Sequence, residues 1–83
     1  MAINYRKLRN VTAREIISAL VRDGFAFDRQ SGSHQHYRHP DGRRVTVSFH
    51  HAGQTFPLKT LRRMVEDQAG WSETDLKRLN LVK

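Results

Sequence analysis

The chain has 83 residues, with 15 Lys and Arg against 8 Asp and Glu, a formal charge of +7 and no cysteine. That length holds one domain with a modest core, and the missing thiols exclude disulfides, Cys-ligated zinc and Cys nucleophiles. Eleven of the fifteen cations are Arg, whose planar fork grips phosphate and stacks on bases, so the charge points to nucleic acid or an acidic protein as partner. No window approaches the roughly 18 apolar residues of a membrane span. The start, Met1-Ala2-Ile3-Asn4-Tyr5-Arg6-Lys7, lacks the apolar run of a signal peptide. A soluble cytoplasmic protein is expected, with no membrane partner.

Residues 1–11 form a basic lead-in, either a helical turn or an arm, with Arg6, Lys7 and Arg9 around Tyr5 and Leu8. Thr12-Ala13-Arg14-Glu15 reads as a capping box, with Val11 and Ile16 at the staple positions. Ile16, Ile17, Leu20 and Val21 make one apolar stripe. Gly24 ends the helix, and Phe25 folds back on Leu20. Three strands follow: Phe25–Gln30, with Phe25 and Phe27 on one face; His34–His39, after the turn Ser31-Gly32-Ser33; and Arg43–His50, with Val45, Val47 and Phe49 on one face. Pro40-Asp41-Gly42 is the hairpin signal between the last two.

A loop over residues 51–56 leads to Pro57, which suits a helix start. Leu58, Leu61, Val65 and Ala69 form the next stripe, with Met64 on its flank. Gly70 caps that helix, and Trp71 closes over Val65. Ser72-Glu73-Thr74-Asp75 opens a last short helix holding Leu76 and Leu79. The expectation is an α+β fold, α-β-β-β-α with a three-stranded antiparallel sheet, an extra C-terminal helix and the order of the double-stranded-RNA-binding fold. It is read as one domain over 1–83: lead-in 1–11, core 12–70 and helical tail 71–83. Phe25, Phe27, Val45 and Trp71 are expected in the core.

The five histidines cluster: His34, His36, His39, His50 and His51. Period-two geometry puts His34 and His36 on one strand face. If Tyr37 joins Val45 and Val47 in the core, both face solvent beside Thr46 and Ser48. Neutral imidazole is a good base near pH 7. RNA carries its own nucleophile, the 2′-hydroxyl, and Arg or Lys can stabilise the charge that develops. Such a reaction needs no metal or cofactor. A zinc site from His34, His36 and His50 or His51 is the less favoured alternative, since all-His sites without a carboxylate are less common. Gly32 is a turn glycine whose missing side chain also lets a phosphate approach. Arg43 and Arg44 read as a hairpin that can hold phosphate, and Lys59, Arg62 and Arg63 sit near a helix start that favours anions.

The segments Gly24-Phe25, Arg29-Gln30-Ser31-Gly32-Ser33-His34, Tyr37-Arg38-His39-Pro40, Val45-Thr46-Val47, His50 and Lys59-Thr60-Leu61-Arg62 resemble the HicA (YcfA-like) mRNA interferase family in order and spacing. The likeness covers roughly residues 13–70. It implies a toxin of a type II toxin–antitoxin module with the double-stranded-RNA-binding-like fold. It also implies metal-free mRNA cleavage by the His of Gly-Ser-His, here His34, and a HicB-like antitoxin that covers that site.

On this reading His34 is the general base, beside the turn residues Gly32 and Ser33. His36 or His50 supplies a proton or positions the substrate. Arg29, Arg38, Arg43 and Lys59 are the candidate phosphate contacts. A non-catalytic duplex-RNA-binding module and a purely protein-binding role are the alternatives; cleavage of RNA by the isolated chain separates them.

Overall fold

A computed structural model of the chain describes residues 3–82. Met1 and Ala2 of the expected lead-in and Lys83 of the expected tail lie outside the described residues. The order is a 3-10 turn Tyr5–Leu8, α1 Ala13–Arg22, β1 Ala26–Ser31, β2 His34–Arg38, β3 Arg44–Ser48, α2 Leu58–Arg62 running on as π-helical turns Arg63–Gln68, and α3 Glu73–Arg78. This is the expected α+β arrangement. The strands form one antiparallel sheet in the order β1-β2-β3.

Side chains close the helix ends. The Thr12 hydroxyl accepts from Glu15 N–H at 3.3 Å, and the Glu15 carboxylate accepts from Thr12 N–H at 2.9 Å, so two of the orphan donors at the start of α1 are satisfied reciprocally. Loop carbonyls take two more, from Ala13 N–H to Gln54 at 2.8 Å and from Arg14 N–H to Ala52 at 3.0 Å. At the far end Gly24 N–H reaches the Val21 carbonyl and Phe25 N–H the Leu20 carbonyl, the 6→1 and 5→2 pair that a left-handed residue makes possible. Gly24 has φ +102°, and a Cβ there would meet His39 Nε2 at 2.9 Å. Ser72 and Asp75 repeat the capping box on α3.

The sheet has one apolar face. Tyr37, Val45 and Val47 are buried on it, together with Leu20 and Ile16 from α1 and Leu61, Met64 and Val65 from the second helical stretch. That single cluster also takes Tyr5, Leu8 and Val11 from before the capping box and Trp71, Leu76, Leu79 and Leu81 from after Gly70. The lead-in is thus a folded turn whose apolar residues are interior, and the Tyr5 hydroxyl donates to the Glu66 carboxylate. Burial, followed by the hydrogen bond and charge of Glu66, pushes that phenol well above the usual tyrosine range.

One expected core position is corrected, and two residues of the expected apolar stripes face solvent. Phe27 is 55% exposed, and Val21 of the α1 stripe and Leu58 of the α2 stripe are also exposed. Phe27 does share the apolar face with Tyr37, edge to face at 5.8 Å. But β1 is the outer strand, all six of its residues are exposed, and the cover does not reach it. The opposite border is covered: Thr46 N–H of β3 donates to the Gln68 side chain at 3.0 Å.

Candidate active site

The solvent face of the sheet is built by register. Ser31 pairs with His34, Arg29 with His36, His34 with Ser48, His36 with Thr46, and Arg38 with Arg44. Cross-strand partners share a face, so Arg29, Ser31, His34, His36, Arg38, Arg44, Thr46 and Ser48 all lie away from the buried Tyr37, Val45 and Val47. Arg29 reaches this face because of an irregularity: the register slips between Phe27 and Arg29, leaving Asp28 as an extra residue. Simple alternation from Phe27 would have put Arg29 on the helix side.

Gly32 and Ser33 form the two-residue turn between β1 and β2. Gly32 has φ +59°, the first-position glycine that suits a tight hairpin. The turn is continuous with the end of β3, because Phe49 N–H donates to the Ser33 carbonyl at 3.1 Å and the Ser33 and Ser48 hydroxyls lie 3.5 Å apart. His34 follows directly. It is exposed, and no hydrogen bond holds its ring among the described residues. His36 is half-buried, with Nδ1 at 3.0 Å from Thr46 Oγ1. His50 is exposed just beyond β3, its N–H donating to the Gln54 side chain.

The expected phosphate contacts divide. Arg29 and Arg38 stand on the histidine face; Arg38 lies 3.9 Å from the Asp28 carboxylate, and both partners are substantially exposed. Arg44 joins them, and neither Arg29 nor Arg44 has a carboxylate within ion-pair distance among the described residues. Arg43 is elsewhere. Its guanidinium donates through Nε to Asp41 and through Nη1 to Asp23 and the Ala69 carbonyl, and lies over the Phe25 ring at 4.9 Å, so it is held inside the molecule. Lys59 is exposed on α2, where it lines a pocket of about 270 Å³ with Tyr5, Leu58 and Arg62. No register partner places Lys59 with the histidines.

The remaining histidines and acids do structural work. His39 Nε2 lies 2.9 Å from the Asp23 carbonyl, its Nδ1 faces Asp41, and its ring meets Phe25 edge to face. The Asp23 carboxylate accepts from Trp71 Nε1–H, Arg43 and Arg78. Burial opposes its charge, yet these hydrogen bonds and the two guanidinium charges prevail and hold it below the usual carboxylate range. Apart from Asp28 beside Arg38, these acids pair away from the open sheet face, which keeps a net positive charge through Arg29 and Arg44. Among the described residues no group of three His, Asp or Glu side chains is placed to hold a metal ion.

Sequence reasoning left Thr46 without a task and did not see the part Asp28 plays. The first is visible only through strand register; the second follows from how the tight turn fixes that register.

Among the described residues no helix is long and apolar enough to cross a membrane. Among curated proteins, none matches the chain. The family model described as HicA toxin of bacterial toxin-antitoxin matches residues 13–71, from the first residue of α1 to Trp71. With more than half of its length matched, and with the helix–three-strand–helix order on the page, the chain belongs to the HicA toxin family of bacterial toxin–antitoxin modules.

Proposed function

We propose that the chain is a metal-independent endonuclease of mRNA, acting in the cytoplasm as one domain over 1–83, with His34 as its general base. One observation carries this reading: an exposed imidazole with no hydrogen-bond partner among the described residues, on an open sheet face lined by Arg29, Arg38 and Arg44. An exposed strand His has no packing reason to be there. It takes the proton of a ribose 2′-hydroxyl, which attacks the adjacent phosphate. The arginines hold the phosphate and offset the charge that builds on its oxygens. Gly32 and Ser33 keep the approach beside His34 low. A HicB-like antitoxin with acidic groups, complementary to the arginines, covers this face and stops the reaction.

The test is incubation of the isolated protein with single-stranded RNA, with and without chelator. A 2′,3′-cyclic phosphate product, formed equally in chelator and lost in His34→Ala, is expected. A linear 5′-phosphate product, or a His34→Ala variant as active as the parent, would falsify the assignment. The unpaired Arg29 and Arg44 also suit a non-catalytic module that grips duplex RNA by its phosphates; salt-sensitive binding with no cleavage at any protein concentration would establish that reading instead.

A further inference from the structure

We propose that His36 is the second catalytic residue, the general acid that protonates the leaving 5′-oxygen, and that Thr46 is the positioning residue that holds it ready. The proposal rests on the nuclease reading and deepens it.

Transphosphorylation of RNA moves two protons at two places. One leaves the 2′-hydroxyl and one must reach the 5′-oxygen, and in an in-line displacement these oxygens lie on opposite sides of the phosphorus. A single base handles only the first. His34 and His36 are separated by one residue on one strand face, so their backbones stand about 6.6 Å apart at an extended rise of about 3.3 Å per residue. Two imidazoles so placed can flank one phosphate.

Their surroundings differ in the way the two tasks require. His34 is exposed and unrestrained. His36 is half-buried and fixed across the strand pair by Thr46 at 3.0 Å. The Thr46 hydroxyl oxygen accepts Nδ1–H of the charged ring, and of the neutral ring in its Nδ1–H tautomer. The exchangeable proton then sits on Nε2, the far nitrogen of the ring. Thr46 is itself anchored, since its N–H donates to Gln68 of the π-helical turns.

The charged groups around His36 are Arg29 from β1, Arg38 from its own strand with the carboxylate of the β1 bulge residue Asp28 at 3.9 Å from it, and Arg44 from β3, with His34 as the titratable neighbour. The helical stretch contributes the neutral Gln68. No carboxylate is opposite His36 in the register. His50, the other candidate, stands outside the paired strands and, among the described residues, is tied through its backbone N–H to the Gln54 side chain with no bond to its ring.

The step balances. The imidazole of His34 takes the 2′-proton, the 2′-oxygen bonds to phosphorus, and the phosphorus–5′-oxygen bond breaks. The electron pair of that bond goes to the 5′-oxygen, which takes the proton from His36 Nε2. The products are a 2′,3′-cyclic phosphate and a 5′-hydroxyl. His34 ends protonated and His36 neutral, and exchange with water resets both.

The leaving group provides the test. Single-turnover cleavage is measured for the wild type, His36→Ala, His50→Ala, Thr46→Val, Thr46→Ser and His34→Ala, on an RNA and on the same RNA with a bridging 5′-sulfur at the scissile bond. A thiolate leaves without protonation. With the oxygen substrate, His36→Ala should lose about 10²- to 10⁴-fold in rate, the usual worth of a positioned proton donor. With the sulfur substrate it should cleave within a few-fold of the wild type. His34→Ala should be slow on both. Thr46→Val should slow only the oxygen substrate and alter the alkaline limb of its pH profile, while Thr46→Ser retains wild-type behaviour. Equal losses on both substrates for His36→Ala, an unimpaired His36→Ala, or sulfur rescue of His50→Ala in its place overturns the assignment while leaving His34 as base. A wild type that cleaves neither substrate overturns the nuclease reading itself.

Discussion

The indole Nε1–H of Trp71 donates to the Asp23 carboxylate at 2.8 Å, tying the residue that ends α1 to the chain just beyond Gly70. Arg43 from the β2–β3 hairpin and Arg78 from α3 meet the same carboxylate. Three side chains from beyond α1, Arg43, Trp71 and Arg78, thus converge on one acid whose side chain is 9% exposed. Removing its charge takes the shared anion from two guanidinium groups and one indole N–H, although Arg43 keeps Asp41 and the Ala69 carbonyl and Arg78 keeps Asp75, so Asp23→Asn should cost about 1–3 kcal/mol of stability, read as a lowered urea midpoint. A cost under about 0.5 kcal/mol would show that solvent substitutes freely for the carboxylate.

The same carboxylate sets an acid limit. Asp23 is held below its ordinary range as described; at Asp41 burial is outweighed by Arg43 N–H and the Arg43 side chain; at Asp75 the Ser72 N–H leads, with Arg78 helping. In the unfolded chain these groups titrate near about 3.9. As pH falls the unfolded chain therefore binds protons first. Their contribution is present above about pH 4 and is lost as the pH drops from there through the depressed folded values. Urea midpoints between pH 7 and pH 2 should fall on the acid side, and less steeply in Asp23→Asn.

Gly24 and Gly42 separate strain from collision. Their φ values are +102° and +100°, so a side chain strains both alike. A Cβ at Gly42 meets nothing within 4 Å, whereas at Gly24 it strikes His39 Nε2. Gly42→Ala should cost about 1–2 kcal/mol and Gly24→Ala clearly more, because His39 must leave the Asp23 carbonyl. Equal losses in thermal unfolding would mean that the His39 contact contributes nothing.

Leu8 is fully buried although it sits among Arg6, Lys7 and Arg9. Leu8→Ala should cost about 2–5 kcal/mol, as for a leucine of α1 such as Leu20. In a domain of this size each kcal/mol lowers Tm by about 4–8 °C. A Tm within about 2 °C of the wild type would make the lead-in an appended arm.

The arginines should sort by place. Arg29→Gln and Arg44→Gln should each weaken RNA binding and reduce its logarithmic salt slope by about one, with little change in stability. Arg43→Gln should do the reverse, destabilising the fold while leaving the slope alone. Titrations at several salt concentrations, paired with urea melts, distinguish the groups.

What could be read in the sequence was local. Thr12 with Glu15 and Ser72 with Asp75 announce helix starts because their bonds span three residues. Gly24 and Gly70 announce helix ends, and Val45 and Val47 show their face by alternation. The placement of His34 and His36 on the solvent face follows from Tyr37 being apolar. What could not be read depends on distant segments. Arg43 looks like a solvated hairpin residue until Asp23 and Ala69 arrive from elsewhere in the chain. Phe27 looks like core until β1 proves to be the outer strand. The spacing of Tyr5 and Leu8 is masked by the cations between and around them. The π-helical turns at Arg63–Gln68 carry the same apolar stripe as an α-helix, so periodicity does not reveal them.

The two borders of the sheet are unequal, one capped by Gln68 and one bare along β1. An exposed strand edge invites another strand, but fibre growth needs two adhesive rims, and this molecule has one. Association rim to rim between copies would consume it and end at a pair, so crowding such a toxin favours small closed species over endless ones.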